Sequence, residues 1–103
     1  MEAKFEAAFV KALRKHASIK NLVPAKVDMI LKNPVARGEP LKGNWRGFYS
    51  FPVKRNFIIV YLYCEACREK GDDAVVACDD CSETPNPTVR FVLLAPHDRA
   101  YGI

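Results

Sequence analysis

The sequence predicts an α+β fold: an N-terminal helix hairpin packed on a small antiparallel β-sheet, with a cysteine-rich insertion between two of the strands. Three observations carry this. Helical periodicity is confined to the first third of the chain, two nearly continuous apolar runs follow it, and the acidic stretch between those runs holds all four cysteines. With 103 residues there is room for one domain, residues 1–103, in which 64–87 form the insertion.

From Phe5 onward Phe5, Phe9, Ala12, Leu13 and His16 recur at steps of three and four, with Glu6, Lys11, Arg14 and Lys15 between them. This predicts an amphipathic helix over roughly residues 2–18, with no strand before it. Asn21 offers a cap, and Pro24 suits a first helical turn because its missing N–H would have no partner there. Val23, Val27, Ile30 and Leu31 then share one face of a second helix, which Asn33-Pro34 ends. Gly38, Pro40 and Gly43 among charged residues make Pro34–Asn44 a connecting loop. Strands are predicted at Gly47–Val53, Asn56–Tyr63 and Thr88–Ala95; the last two, rich in Ile, Val, Leu, Phe and Tyr, are the central ones.

Charge is segregated along the chain. Residues 64–87 carry Glu65, Glu69, Asp72, Asp73, Asp79, Asp80 and Glu83 against Arg68 and Lys70, a net −5, so the rest of the chain is +9 for the formal total of +4. A frame this basic suits a phosphate-rich partner or an acidic protein, or it is a well-solvated lysine surface. No apolar run approaches the ~20 residues of a membrane span and the N-terminus lacks a leader pattern, so a cytoplasmic protein with no membrane partner is expected.

The cysteines fall in Cys64-Glu65-Ala66-Cys67 and Cys78-Asp79-Asp80-Cys81, two C-x2-C motifs separated by ten residues. A two-residue gap lets both thiolates of a turn face one point, and two such turns complete a tetrahedral sulfur shell with no vacancy. Structural Zn2+ is the expected cofactor. An iron–sulfur cluster would accept the same ligands, and disulfides or a thiol redox pair are the other readings. Asp79 and Asp80 beside an anionic tetrathiolate would repel phosphate, so the motif is expected to clamp the ends of the two central strands and not to grip nucleic acid.

Leu41-Lys42-Gly43-Asn44-Trp45-Arg46-Gly47-Phe48-Tyr49, followed by Lys54-Arg55-Asn56, interleaves cations with aromatic rings. Lys42, Trp45 and Lys54 are candidates for pairing with phosphates and stacking on bases, and Arg46 and Arg55 for offsetting charge at a reacting phosphate; a loop with its Trp packed in the core is the plain alternative. Just after the last apolar strand, His97-Asp98-Arg99-Ala100-Tyr101 gathers an acid/base, a carboxylate, a guanidinium and a phenol.

Taken in order, the helix hairpin, the Pro-rich loop, Leu41-Lys42-Gly43, an aromatic strand, Ile58-Ile59-Val60-Tyr61 and a last apolar strand running into His97-x3-Tyr101 resemble the RelE/ParE superfamily of type II toxin–antitoxin toxins, in its RelE/YafQ-like branch. The resemblance implies a compact α+β toxin neutralised by a cognate antitoxin protein, acting as a ribosome-dependent endoribonuclease on mRNA. The ParE-like alternative inhibits DNA gyrase without cleaving RNA. His97 matches the histidine of YafQ-like members and Tyr101 the C-terminal aromatic placed against the substrate nucleotide. Arg46, Lys54 and Arg55 fall on the basic RNA-gripping face, with Arg99 beside the C-terminal pair. In the same matching, an arginine that many members carry before the Ile/Val-Tyr run falls at Ile58, and two lysines of RelE itself fall at Tyr49 and Phe51.

Overall fold

A computed structural model of the chain describes residues 1–96. Its centre is a five-stranded mixed sheet in the order β1-β5-β4-β3-β2, built from β1 (Glu2–Phe5), β2 (Glu39–Pro40), β3 (Phe48–Lys54), β4 (Phe57–Tyr63) and β5 (Thr88–Pro96). β3 and β4 form an antiparallel hairpin and β4 pairs antiparallel with β5, running from Phe57 opposite Pro96 to Tyr63 opposite Val89. β1 lies parallel to the far side of β5, with Glu2 opposite Thr88 and Phe5 opposite Phe91.

That outer strand corrects the sequence reading twice. Residues 2–5 are not the start of a helix, and the sheet is not purely antiparallel. Glu2, Ala3, Lys4 and Phe5 have no strong strand preference of their own; the unpaired edge of β5 supplies it, and tertiary pairing overrides local propensity. Phe5 then stacks on Phe91 at 5.0 Å between ring centroids and meets Phe9 at 5.6 Å.

The predicted hairpin of two helices is divided more finely. α1 spans Ala7–Lys15, a short α2 spans Ala17–Lys20, α3 spans Val23–Lys32 with a proline in its first turn, and a single turn, α4, spans Pro34–Arg37. His16, at φ −105° and ψ 64°, breaks α1 from α2. Asn33 caps α4 by accepting the Ala36 backbone N–H at 3.3 Å. The loop predicted over 34–44 therefore holds a helical turn, and its Glu39–Pro40 is a short edge strand paired to Ser50 and Tyr49.

Period-two alternation divides the sheet faces. Tyr49, Phe51, Val53, Ile59, Tyr61, Val89, Phe91 and Leu94 meet Phe9, Ile19, Val23, Val27 and Ile30 from the helices in the main core. On the opposite face Ile58, Val60 and Ala95 form a smaller apolar cluster covered by Leu41, Trp45, Phe48 and Leu93. β4 is thus buried on both sides, as its continuous apolar run requires.

Tyr61 fixes the route of the chain between helices and sheet. Fully buried, it donates its hydroxyl proton to the Pro34 carbonyl at 2.5 Å, and burial holds its phenol well above the usual range. Gly38 passes directly over this ring: a Cβ there would overlap the Tyr61 hydroxyl and stand 2.7 Å from its Cζ and 2.9 Å from Tyr49 Cβ. Gly38→Ala is therefore expected to destabilise the fold by about 2–3 kcal/mol, the scale of overpacking in a close-packed interior. Urea unfolding measures it; a change within about 0.5 kcal/mol, the range of an unremarkable surface substitution, would rule out this packing.

Candidate functional site

The β3–β4 hairpin sets the sequence-predicted residues at two separate ends. At its turn, Lys54 ends β3, pairs with Phe57, and is followed by Arg55 and Asn56, all three exposed. Pro96, the last described residue of β5, lies opposite the same Phe57. The described end of β5 thus lies beside the Lys54-Arg55 turn. The candidates His97, Arg99 and Tyr101 lie outside the described residues.

Arg46 belongs to the other end, and Trp45 lies over the open face. Lys42 precedes a single 3-10 turn, Gly43–Trp45, and is exposed. Trp45 packs edge-on to Phe48 at 5.4 Å and covers the open-face apolar cluster, so its ring is partly committed to packing. Arg46 donates from Nε to Asp72 Oδ1 at 2.8 Å. Seven residues of β3 separate the two ends, roughly 20 Å at the usual rise of a strand, so Arg46 and Arg55 are not brought together.

Tyr49 and Phe51 are the positions at which the resemblance puts two lysines of RelE. Both rings face the helices and are buried in the main core. A cation there would be buried without water, and a shift of one residue along a strand moves a side chain to the other face. Phe48, Ser50 and Pro52 are the β3 residues on the open face, opposite Leu62, Val60 and Ile58. Ile58 itself, 6% exposed, faces that side within the apolar cluster.

The insertion is a compact arm on the open face: α5 (Cys64–Glu69) continues directly from β4, α6 (Asp73–Val76) follows, and a 3-10 turn at Cys81–Glu83 leads to β5. The first cysteine pair is not on a turn of the kind the spacing predicted. Cys64 and Cys67 lie three residues apart on α5, on one helix face and both buried, whereas Cys78 and Cys81 are half-buried in the irregular segment after α6. All four thiols, with Leu62, Arg68, Asp73, Val76 and Arg90, line one cavity of about 10 Å³. No group of three or more His, Cys, Asp or Glu side chains among the described residues stands in metal-ligating geometry. Burial, joined by Asp72 and Asp73, pushes the Cys67 thiol up to about 11, and burial raises Cys64 and Cys78 against the pull of Arg90. Such thiols stay protonated near neutrality, unlike the depressed thiols of redox or nucleophilic cysteines.

Arginines absent from the sequence-based site dock this arm. Arg90, in the middle of the apolar run of β5, has a side chain only 6% exposed. Its Nη1 donates to Glu6 Oε1 at 2.8 Å, and its Nη2 to Asp80 Oδ1 at 2.6 Å. Burial alone would push its guanidinium down, but the hydrogen bonds to Glu6 and Asp80 outweigh it and hold the charge firmly. Lys4 of β1 also pairs with Asp80, and Arg68 donates to the carbonyls of Cys81 and Thr84 and to Asn86 Oδ1. One signal in the sequence pointed to Arg90: a lone charge inside a buried strand needs buried or semi-buried partners.

Comparisons with known proteins bear on this arrangement. No family model and no curated protein matches the chain. Solved structures do. YafQ from Escherichia coli BL21(DE3) matches at a TM-score of 0.65 and 14% identity over 98% of both chains. The chain shares the fold of YafQ. A YoeB/ParE toxin from Agrobacterium tumefaciens matches at a TM-score of 0.66 and 13% identity, over 94% of this chain and 99% of that one. YafQ in the Escherichia coli DinJ-YafQ complex matches at 0.63 and 15%, over 98% of both. No helix among the described residues is long and apolar enough to cross a membrane.

The pairing of Asp80 carries a pH signature. Its hydrogen bonds to Lys4 and Arg90 hold its carboxyl down at about 2, below the ordinary carboxylate value. A depressed folded-state value contributes stability that is present above the unfolded value of ~3.9 and is lost as pH falls through about 2. Asp80→Asn is therefore expected to be less stable than wild type at pH 7, with the gap closing between pH ~4 and ~2. Urea titrations at pH 7, 4 and 2.5 follow it; a gap of equal size at all three would show that the Asp80 charge is not what docks the arm.

Proposed function

We propose that this protein is the toxin of a type II toxin–antitoxin pair, a ribosome-dependent endoribonuclease that cleaves mRNA in the cytoplasm and is neutralised by a cognate antitoxin protein. The observation that carries the reading is the agreement of fold with YafQ along 98% of both chains, together with the sequence His97-x3-Tyr101 that follows β5. YafQ forms a complex with DinJ, and the antitoxin partner is inferred by analogy with it.

In this reading the RNA provides its own nucleophile. The 2′-hydroxyl attacks the adjacent phosphorus, its proton passes to a base, and the 5′-oxygen leaves with a proton from an acid, giving a cyclic phosphate and a free 5′-hydroxyl. His97 is the acid or base, because an imidazole titrating near ~6.5 serves either role at neutrality. Arg55, exposed at the turn beside the last described residue of β5, offsets the charge that builds on the phosphoryl oxygens, and Lys54 and Arg99 hold the backbone. Tyr101 stacks on a base. Arg46 has no part in this chemistry, since its Nε is engaged by Asp72 and it sits at the opposite end of β3. Trp45 lies on the open face itself, over Ile58, Val60 and Ala95, with Lys42 exposed before it.

Ile58 favours a second reading, a toxin that binds without cleaving, as a gyrase-directed ParE-like protein would. Where many superfamily members carry an arginine, this chain has a buried apolar side chain among Val60, Ala95 and Trp45.

A translating cell-free extract given wild-type protein, His97→Ala or Arg55→Ala, followed by primer extension on a reporter mRNA, decides between them. Breaks that require active ribosomes, and that fall at least ~100-fold in rate in His97→Ala and ~10-fold in Arg55→Ala, are the expected outcome. Intact mRNA at full translation would leave the binding reading in place and overturn cleavage.

A further inference from the structure

Four thiols and two guanidinium groups around one small cavity are a chemical cluster that the proposed reaction does not use. We infer that this cluster is a structural zinc site, in which Cys64, Cys67, Cys78 and Cys81 form a closed four-sulfur shell and Arg68 and Arg90 balance its charge. The inference is independent of the toxin reading.

The donor chemistry comes first. Four sulfur atoms with no histidine or carboxylate among them suit a structural tetrahedral zinc and leave no position for water. Binding exchanges four S–H bonds for four Zn–S bonds, releases four protons, and leaves Zn(S)4 with a formal charge of −2. A dianion against a buried strand is unfavourable unless opposite charge accompanies it into the same space. Here two cations line the same cavity as the thiols. Arg68 Nη2 lies 3.7 Å from Cys81 Sγ. Arg90, on β5 opposite Leu62, is buried, and its Nε has no hydrogen-bond partner, although both of its terminal nitrogens have one. An unpartnered buried N–H is unfavourable, and a thiolate sulfur in this cavity is the acceptor that would satisfy it.

Placement argues the same way. α5 fixes Cys64 and Cys67, 6% and 5% exposed, at the end of β4, while Cys78 and Cys81 ride on a half-exposed segment leading into β5. Drawing the four sulfurs onto one ion falls to that second segment, since the first pair is held by packing. Its docking contacts already run the right way: Asp80, between the second pair of cysteines, is tied to Lys4 and Arg90. Gly47 admits the arm from the other side. Its φ of +96° is the glycine-favoured region, and a Cβ there would stand 3.1 Å from Asp72 Cβ and 3.2 Å from Val76 Cγ2. A metal at this point ties the end of β4 to the approach to β5, across the excursion of residues 64–87.

The test uses the full chain, expressed with zinc in the medium, dialysed, and analysed for metal and thiols. One zinc per chain is expected, retained on dialysis and released when a mercurial titrates all four thiols. Replacement with Co2+ should give the visible bands and sulfur-to-metal charge transfer of a tetrahedral tetrathiolate. Cys78→Ser should weaken Co2+ binding at least tenfold and shift those bands. Arg68→Ala should weaken it about tenfold with the bands unchanged, and Arg68→Lys should recover part of that loss. Because a cysteine variant is liable to fail to fold, the wild-type Co2+ spectrum decides alone. A folded wild-type chain that takes up neither Zn2+ nor Co2+ overturns the site, as does iron with sulfide, or a pair of disulfides, in place of the metal.

Discussion

Arg90 is the constraint on which the unusual part of this molecule depends. It is a cation in the most buried strand but one, and a strand of that kind has no place for an unpaired charge. Its two terminal nitrogens are therefore spoken for by Glu6, at the junction of β1 and α1, and by Asp80, in the insertion. One side chain thus joins the outer parallel strand, the centre of the sheet and the arm that separates β4 from β5. Glu6 and Asp80 keep some contact with water, so the pair avoids the full desolvation of both partners while the guanidinium itself is enclosed.

Seen from Arg90, the charge segregation of the sequence changes meaning. A −5 insertion and a +9 frame suggest an external partner for each, and the acidic stretch suggests repulsion of phosphate. In the folded chain a good part of that complementarity is used internally: Asp72 with Arg46, and Asp80 with Lys4 and Arg90. Asp80 does not stand beside the cysteines as an uncompensated charge. The cations that remain far from the arm, Lys54 and Arg55 among them, are at the hairpin turn, where the frame presents its charge outward.

Which parts of this were legible in the sequence follows from whether the signal was local. The stripe of Phe9, Val23, Val27 and Ile30 marked the helical layer, and the Phe57–Tyr63 run marked a strand buried on both faces, because burial patterns are written in period and length. β1 was illegible: Glu2 and Lys4 make its four residues look like a helical first turn, and only the free edge of β5 makes them a strand. The same holds for facing. That Tyr49 and Phe51 meet the helices could be known only from the fold, since alternation gives two faces but not which one meets the helices. At the candidate site the turn residues Lys54 and Arg55 were singled out by composition. Arg46 was placed with them for the same reason, and its distance along β3 could be known only once the register was. The grouping of the four cysteines was legible from spacing, whereas the helix that carries the first pair was not.

The two ends of β4 therefore do different work. At the Tyr63 end the chain runs straight into α5, and the thiols, Arg68, Arg90 and Asp80 bind the arm to the sheet. At the Phe57 end the open face carries an apolar floor of Ile58, Val60 and Ala95, and the exposed charge is concentrated in the turn that borders it. A phosphate approaching the open face finds no cation at Ile58 to neutralise it, so under the proposed function electrostatic stabilisation falls to the rim, where Arg55 is exposed. Chemistry at a rim depends on the strands holding their ends in register across their whole length. Under the proposed function, a fastening at the far end of β4 and β5 supplies that rigidity without placing any group near the reaction, and an arm rich in carboxylates is then compatible with a substrate rich in phosphates.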